Sequence, residues 1–137
     1  MRTTITCFLI DDDSDDQEIF GMALAKVSMS IGCIIANDGH EALEKLHTDD
    51  TFIPDLIFLD LNMPRMNGIQ CLKEMRKLDR LQDVPVIVYS TSSELKDFME
   101  SKQLGANDYL TKQSSLSALI NKLTEVFKKY NYSFTPA

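Results

Sequence analysis

The chain has 137 residues, 44% of them hydrophobic and 26% charged, with a formal net charge of -7. That balance predicts one globular domain with a core of its own, needing no disulfide or metal staple to fold. Scattered Lys and Arg in an acidic chain exclude a nucleic-acid footprint, and no apolar run approaches the roughly 18 residues of a membrane span.

Residues 1–6 pass into a strand pattern without the apolar stretch of a secretory leader, so a cytoplasmic protein is expected. Cys7, Cys33 and Cys71 are widely spaced among apolar neighbours, form no CxxC pair, and make no zinc pattern with His40 and His47. They read as buried thiols behaving as small hydrophobes.

ITCFLI, residues 5–10, is a buried strand that runs into Asp11, Asp12 and Asp13. Ser14 with Gln17 three positions later predicts a capping box, and Asp15 and Asp16 fall in the first turn of the helix it opens, where negative charge is favourable. Ile19, Phe20, Ala23, Leu24 and Val27 form that helix's apolar stripe. The helix start accounts for Asp15 and Asp16. It leaves Asp11 and Asp12 unexplained.

Residues 32–36 predict a second strand, and Asp38 with Glu41 a cap for a helix through Ala42, Leu43 and Leu46, with His40 solvated. Next comes FIPDLIFLDLNMPRMNG, residues 52–68. Its apolar run stops at Asp60, and a carboxylate at the carboxyl end of a buried strand lies where open α/β sheets place their ligands. Asn67 and Gln70 cap a third helix with Ile69, Leu72 and Met75 inward, while Arg76, Lys77, Asp79 and Arg80 predict a solvated polar end. Residues 84–89 form a fourth strand ending at Ser90-Thr91, and its Pro85 is tolerable only at the start. Thr91 and Glu94 offer a box for a fourth helix carrying Leu95, Phe98 and Met99, whose helical spacing reads as core before interface.

Gly105-Ala106-Asn107 turns into a short fifth strand at residues 108–110. Thr111-Lys112-Gln113 follows, and Ser114 or Ser115 caps a last helix with Leu116, Leu119, Ile120, Leu123 and Phe127 at helical spacing. Five alternations of strand and helix with short connections predict a doubly wound, five-stranded parallel sheet with helices on both faces. Residues 1–130 make one domain, and residues 131–137 a short tail without an output domain.

In such a sheet Asp11 and Asp12, Asp60, Ser90 and Lys112 share one edge. Taken singly, Asp11 and Asp12 read as loop acids, Ser90 as an N-cap and Lys112 as a surface lysine. Asp60, at the end of a strand that reads as buried throughout, is harder to dismiss. Together, three carboxylates in one place repel and raise one another's pKa unless a hard divalent cation such as Mg²⁺ joins them. Metal, lysine, hydroxyl and a nucleophilic carboxylate suit phosphoryl transfer, and the chain lacks a GK[ST] loop or kinase signature that would bind nucleotide.

FLIDDD, DLIFLDLNMPRMNG, PVIVYSTS and GANDYLTKQ resemble the four signature blocks of the receiver domain of bacterial two-component response regulators, in its stand-alone form similar to the chemotaxis regulator. The resemblance implies a (βα)5 flavodoxin-like fold and an aspartyl phosphate on Asp60, with self-catalysed phosphotransfer and autodephosphorylation. It implies Mg²⁺ held by Asp12, Asp60 and the carbonyl of Asn62, with Asp11 acting partly through a metal-bound water. Ser90 would swing in to hydrogen-bond the phosphoryl group, Lys112 would pair with it, and Tyr109 would turn inward as the aromatic switch. Asn62 and Ser92 would tune the lifetime. The implied partners are a histidine kinase or histidine-phosphotransfer protein and a downstream protein target bound on the Tyr109 side, with homodimerisation on phosphorylation left open.

Three positions depart from the family pattern. Gln113 replaces the proline that commonly follows the lysine through a cis bond, so the loop is either strained or trans with Lys112 displaced. Ser14 for a frequent proline still suits a helix start, and Ser90 for threonine keeps the hydroxyl. Two other classes compete: an unphosphorylated interaction domain, argued against by the complete set of acids, hydroxyl and lysine, and an aspartate-nucleophile hydrolase, for whose cap the connections leave no room. An intermediate in a phosphorelay shares every one of these residues.

Overall fold

The computed structural model describes residues 4–63, 66–92 and 94–132. Strands and helices alternate as expected: β1 (Ile5–Ile10), α1 (Ser14–Val27), β2 (Ile31–Ala36), α2 (Gly39–Thr48), β3 (Leu56–Leu59), α3 (Gly68–Arg76), a 3-10 turn (Asp79–Leu81), β4 (Val86–Ser90), α4 (Leu95–Gln103), β5 (Asp108–Thr111) and α5 (Leu116–Lys129). The strands form one parallel sheet in the order β2-β1-β3-β4-β5, so the chain reverses its direction of travel between β1 and β3. Ligands of open α/β sheets bind at such a switch point.

Period-two alternation along each strand builds two cores. Cys7 and Leu9, Leu56 and Phe58, Ile87 and Tyr89 face α1 and α5, packing with Phe20, Leu24, Leu119, Leu123 and Phe127. Phe8 and Ile10, Ile57 and Leu59, Val86 and Val88 face the other side, against Leu43, Leu46, Leu72 and Met75 of α2 and α3. Cys7 and Cys71 are buried, Cys33 is half-buried on the edge strand, and all three are free thiols. Burial pushes the thiols up, Cys33 to about 11 and Cys71 to about 12, which suits inert packing groups. Among the described residues no helix is long and apolar enough to cross a membrane.

Four local expectations change. Asp13, not Ser14, caps α1: its side chain accepts from the backbone N–H groups of Asp15 and Asp16 at 2.9 and 3.0 Å. The carboxylate one residue earlier takes the place of the expected hydroxyl, while Gln17 turns away to donate to the Asp11 carbonyl and to Asn37. Glu94, not Thr91, precedes α4, and Ser92 Oγ accepts from its N–H at 3.3 Å. Leu95 and Met99 of α4 are 69% and 53% exposed, so their helical spacing makes a surface stripe and not core.

The fourth change is at the end of α3. Arg76 is not part of a solvated end; its guanidinium donates to the carbonyls of Gly105, Leu81 and Val84 and to Asn107 Oδ1, at 2.6 to 3.0 Å. Asn107 Oδ1 also accepts from the Val86 N–H at 2.8 Å. Arg80 likewise donates to carbonyls at the end of α2 and to that of Phe52. Gly105 takes a φ of +104°, and a Cβ there would meet Arg76 at 3.1 Å. One side chain thus joins α3, the entry to β4 and the α4–β5 turn.

Replacing Arg76 by Ala leaves these carbonyls without their charged donor and is expected to cost about 3 kcal/mol. Arg76→Lys, lacking the planar fork, recovers less than half of that. Urea unfolding of both variants beside the parent checks the pair.

Candidate functional site

The loops after β1, β3, β4 and β5 converge at the switch point. Ladder geometry continues past the strand ends, with Asp11 N–H donating to the Ala36 carbonyl at 3.1 Å and Asp60 N–H to the Ile10 carbonyl at 2.9 Å. This fixes both carboxylates on one sheet edge. Gly68 closes the far side, because a Cβ there would lie 2.4 Å from the Asp60 carbonyl oxygen and 2.5 Å from Leu61 Cα. Only glycine allows α3 to start so near the backbone of Asp60.

Asp11, Asp12 and Asp60 each bring a carboxylate oxygen within 4.8 Å of the others, and they are the one metal-competent group of His, Cys, Asp or Glu side chains among the described residues. Asp11 and Asp60 are buried and Asp12 is exposed. His40 and His47 lie exposed on α2 and take no part. Asp60 Oδ1 accepts from the Asn62 N–H at 3.0 Å, and Asp11 Oδ1 from the Asp13 N–H at 3.0 Å. Asp11 Oδ2 is buried and accepts no directed hydrogen bond, although Lys112 Nζ lies 2.9 Å away as an ion partner. An orphaned anionic oxygen beside two further carboxylates is the donor set of a hard divalent cation.

Lys112 Nζ lies 3.3 Å from Asp60 Oδ2 and 2.6 Å from Asp16 Oδ2, and only a tenth of its side chain is exposed. Its Gln113 neighbour does not displace it. No cis peptide bond occurs among the described residues, so the trans form of the loop delivers the ammonium to the carboxylates. Burial works against the charge of Lys112, but Asp16, Asp11 and Asp60 outweigh it and hold the ammonium above the ordinary lysine range. Burial pushes Asp60 up from the ordinary carboxylate range, against the opposing pull of the Asn62 N–H and Lys112. Burial drives Asp11 to about 6, the Asp13 N–H and Lys112 compensating only in part.

Ser90 is fully buried at the end of β4, its Oγ 3.4 Å from Asn62 Nδ2 and 3.3 Å from the Ser92 N–H. Tyr109 on β5 donates its hydroxyl to the Ser92 carbonyl at 2.8 Å and packs against Phe98, the ring centroids 5.8 Å apart. Ser92 Oγ donates in turn to Asp97 at 2.7 Å. Asp11, Asp12, Asp60, Asn62, Ser90 and Lys112 therefore form one site, with Ser92 and Tyr109 on the path from it to α4. Asp16 and Asp97 are the residues that sequence reasoning passed over. Asp16 stands four residues before the buried Phe20, on the helix face that looks at the sheet, and that spacing was the available signal.

A parallel sheet of this order, with an acidic triad and a lysine at its switch point, defines a receiver-type α/β domain. The chain belongs to the response regulator receiver domain family, whose family model matches residues 7–124. It is 29% identical over 123 residues to the chemotaxis protein CheY of Pseudomonas aeruginosa, covering 90% of this chain and 96% of that one. Its fold matches the phosphorylated cyanobacterial phytochrome response regulator RcpA with a TM-score of 0.84 at 30% identity, over 98% of this chain and 99% of that one. The Mn²⁺-bound form of response regulator Rcp1 matches with a TM-score of 0.81 at 28% identity, over 97% and 99%. Two transcriptional regulators among its curated relatives are longer, and the chain spans only 48% and 52% of their lengths. Receiver domains as a family interact with histidine kinases and downstream targets, and the acidic cluster here fits divalent-metal binding.

The folded pKa of Asp11 lies above its unfolded value, so its protonated form supports the fold at low pH and that support is lost as pH rises through about 6. Without divalent cation, Asp11→Asn is therefore expected to be more stable than the parent at pH 7.5, by roughly 2 kcal/mol, with the gap closing towards pH 4. Melting curves in chelator across that pH range test the sign.

Proposed function

We propose that Asp60 accepts a phosphoryl group from a phosphohistidine donor and that the resulting charge resets a protein-binding face around α4, β5 and α5. The observation that carries this reading is the buried Asp60 carboxylate with Lys112 Nζ at 3.3 Å and two acids within 4.8 Å. An Asp60 oxygen bonds to phosphorus as the P–N bond of the donor breaks, the electron pair staying with the imidazole nitrogen. In a separate discharging reaction, a water oxygen bonds to phosphorus as the bond to the Asp60 oxygen breaks, releasing inorganic phosphate and restoring the carboxylate.

Mg²⁺ suits this set of oxygens: Asp12, Asp60 and the Asn62 carbonyl would hold it, with Asp11 acting partly through water, and it would supply neutralising charge for the phosphoryl oxygens. Lys112 offers an N–H to one of those oxygens from the β5 side. Ser90, at present shared between Asn62 and the Ser92 N–H, offers a hydroxyl from the β4 side. If Ser90 moves, it draws on Ser92, whose carbonyl holds Tyr109, and Tyr109 packs on Phe98. That chain links a charge event to the exposed Leu95, Phe98 and Met99, which supports a target protein with an apolar docking surface. The donor is a histidine kinase or histidine-phosphotransfer protein, the setting is cytoplasmic, and residues 1–130 act as the receiver unit.

Intact-protein mass after incubation with acetyl phosphate and Mg²⁺ tests the reading. The parent gains one phosphoryl group and Asp60→Asn gains none, while Lys112→Ala slows uptake by roughly a hundredfold, as loss of one preorganised donor does. A folded parent that gains nothing would return the chain to the interaction-domain class.

A further inference from the structure

Asp16 belongs to no part of the machinery described so far, yet it makes the shortest contact of Lys112. Its Oδ2 lies 2.6 Å from Nζ, against 2.9 Å for Asp11 and 3.3 Å for Asp60. An ordinary role at the start of α1 does not explain it. The cap is Asp13, which already satisfies the N–H groups of Asp15 and Asp16. Asp15, its neighbour in the same first turn, is exposed, whereas the Asp16 side chain is only 30% exposed and is turned to the site.

An ammonium has three N–H donors, and three carboxylates surround this one. Its directed hydrogen bonds go to Asp16 and Asp60, so an arriving phosphoryl oxygen meets an ammonium already held on the α1 side by Asp16. A cation among Asp11, Asp12 and Asp60 would satisfy the charge of two of the three carboxylates on Lys112, leaving Asp16 as the anion that still competes for it. We propose that Asp16 is a positioning residue that draws Lys112 towards α1 and competes with the phosphoryl group for it, setting how readily Asp60 is charged. This rests on the reading of Asp60 as phosphoacceptor. With acetyl phosphate, an Asp60 oxygen bonds to phosphorus while the bond to the acetyl oxygen breaks and acetate leaves, and a lysine freed from Asp16 meets the developing charge sooner.

The test uses Asp16→Asn and Asp16→Glu beside the parent and Asp60→Asn, with two readouts. The first is reductive methylation of Lys112, followed by peptide mass without metal or phosphodonor. The second is the rate of phosphoryl uptake from acetyl phosphate with Mg²⁺. Asp16→Asn is expected to speed both by about threefold, the scale of a partly exposed ion pair, and Asp16→Glu to stay near the parent. Unchanged methylation in Asp16→Asn overturns the positioning of Lys112. Faster methylation with uptake no faster than the parent's overturns the competition. Equal acceleration in Asp16→Glu assigns the effect to helix shape and also overturns it. A parent that takes up no phosphoryl group, or an Asp60→Asn variant that does, brings down the phosphoacceptor reading and this proposal with it.

Discussion

Crowding of like charge at one sheet edge is the constraint on which the site depends. Two buried carboxylates and an exposed one are forced together by the parallel ladder, since β1 and β3 are neighbours and both end in acid. Hydrophobic burial on both faces supplies the energy that holds them there. Lys112 relieves part of the repulsion and leaves a buried anionic oxygen on Asp11 without a directed donor. A protein that keeps such an arrangement spends stability on readiness to bind positive charge and then a phosphoryl group.

The path outward is short because its first links are hydroxyl and backbone groups at and just beyond the ends of two adjacent strands. Ser90 and Lys112 are joined by a backbone hydrogen bond of 2.8 Å at the ends of β4 and β5, so both residues reach the same sheet edge. Ser92 lies two residues beyond Ser90 and binds Tyr109 through its carbonyl and Asp97 through its hydroxyl. Its side chain is therefore committed to α4 and not pointed freely at Asp60, which ties a position expected to govern lifetime to the helix expected to carry the output.

The sheet was largely legible in the sequence because its signal is local and strong. Residues 5–10 and Asp60 could be placed from apolar runs that stop at acids, and the alternation of strands and helices with short connections pointed to a parallel sheet covered on both faces. What escaped were interactions between segments far apart in the chain. Arg76 looked solvated because nothing near it in sequence reveals carbonyls waiting at Gly105 and Val84. Asp16 was credited to the helix start, a sufficient local explanation that hid its reach to a lysine 96 positions away. The cap of α1 shifted by one residue because Asp13 and Ser14 are both good caps and only backbone geometry selects between them. On α4, helical spacing of apolar residues could not tell core from surface.

The two ends of α4 are held unequally. Its C-terminal turn meets Gly105 and Asn107, both gripped by Arg76, and Ser101 is buried with its hydroxyl donating to the Phe98 carbonyl. At the other end, the Glu94 side chain makes no capping bond, and Ser92 Oγ is the anchor, accepting from the Glu94 N–H and donating to Asp97. The turn after α4 is thus tied to α3 and the entry to β4 through Arg76, whereas the start of the helix is tied to the site loop through Ser92, the residue that also holds Tyr109.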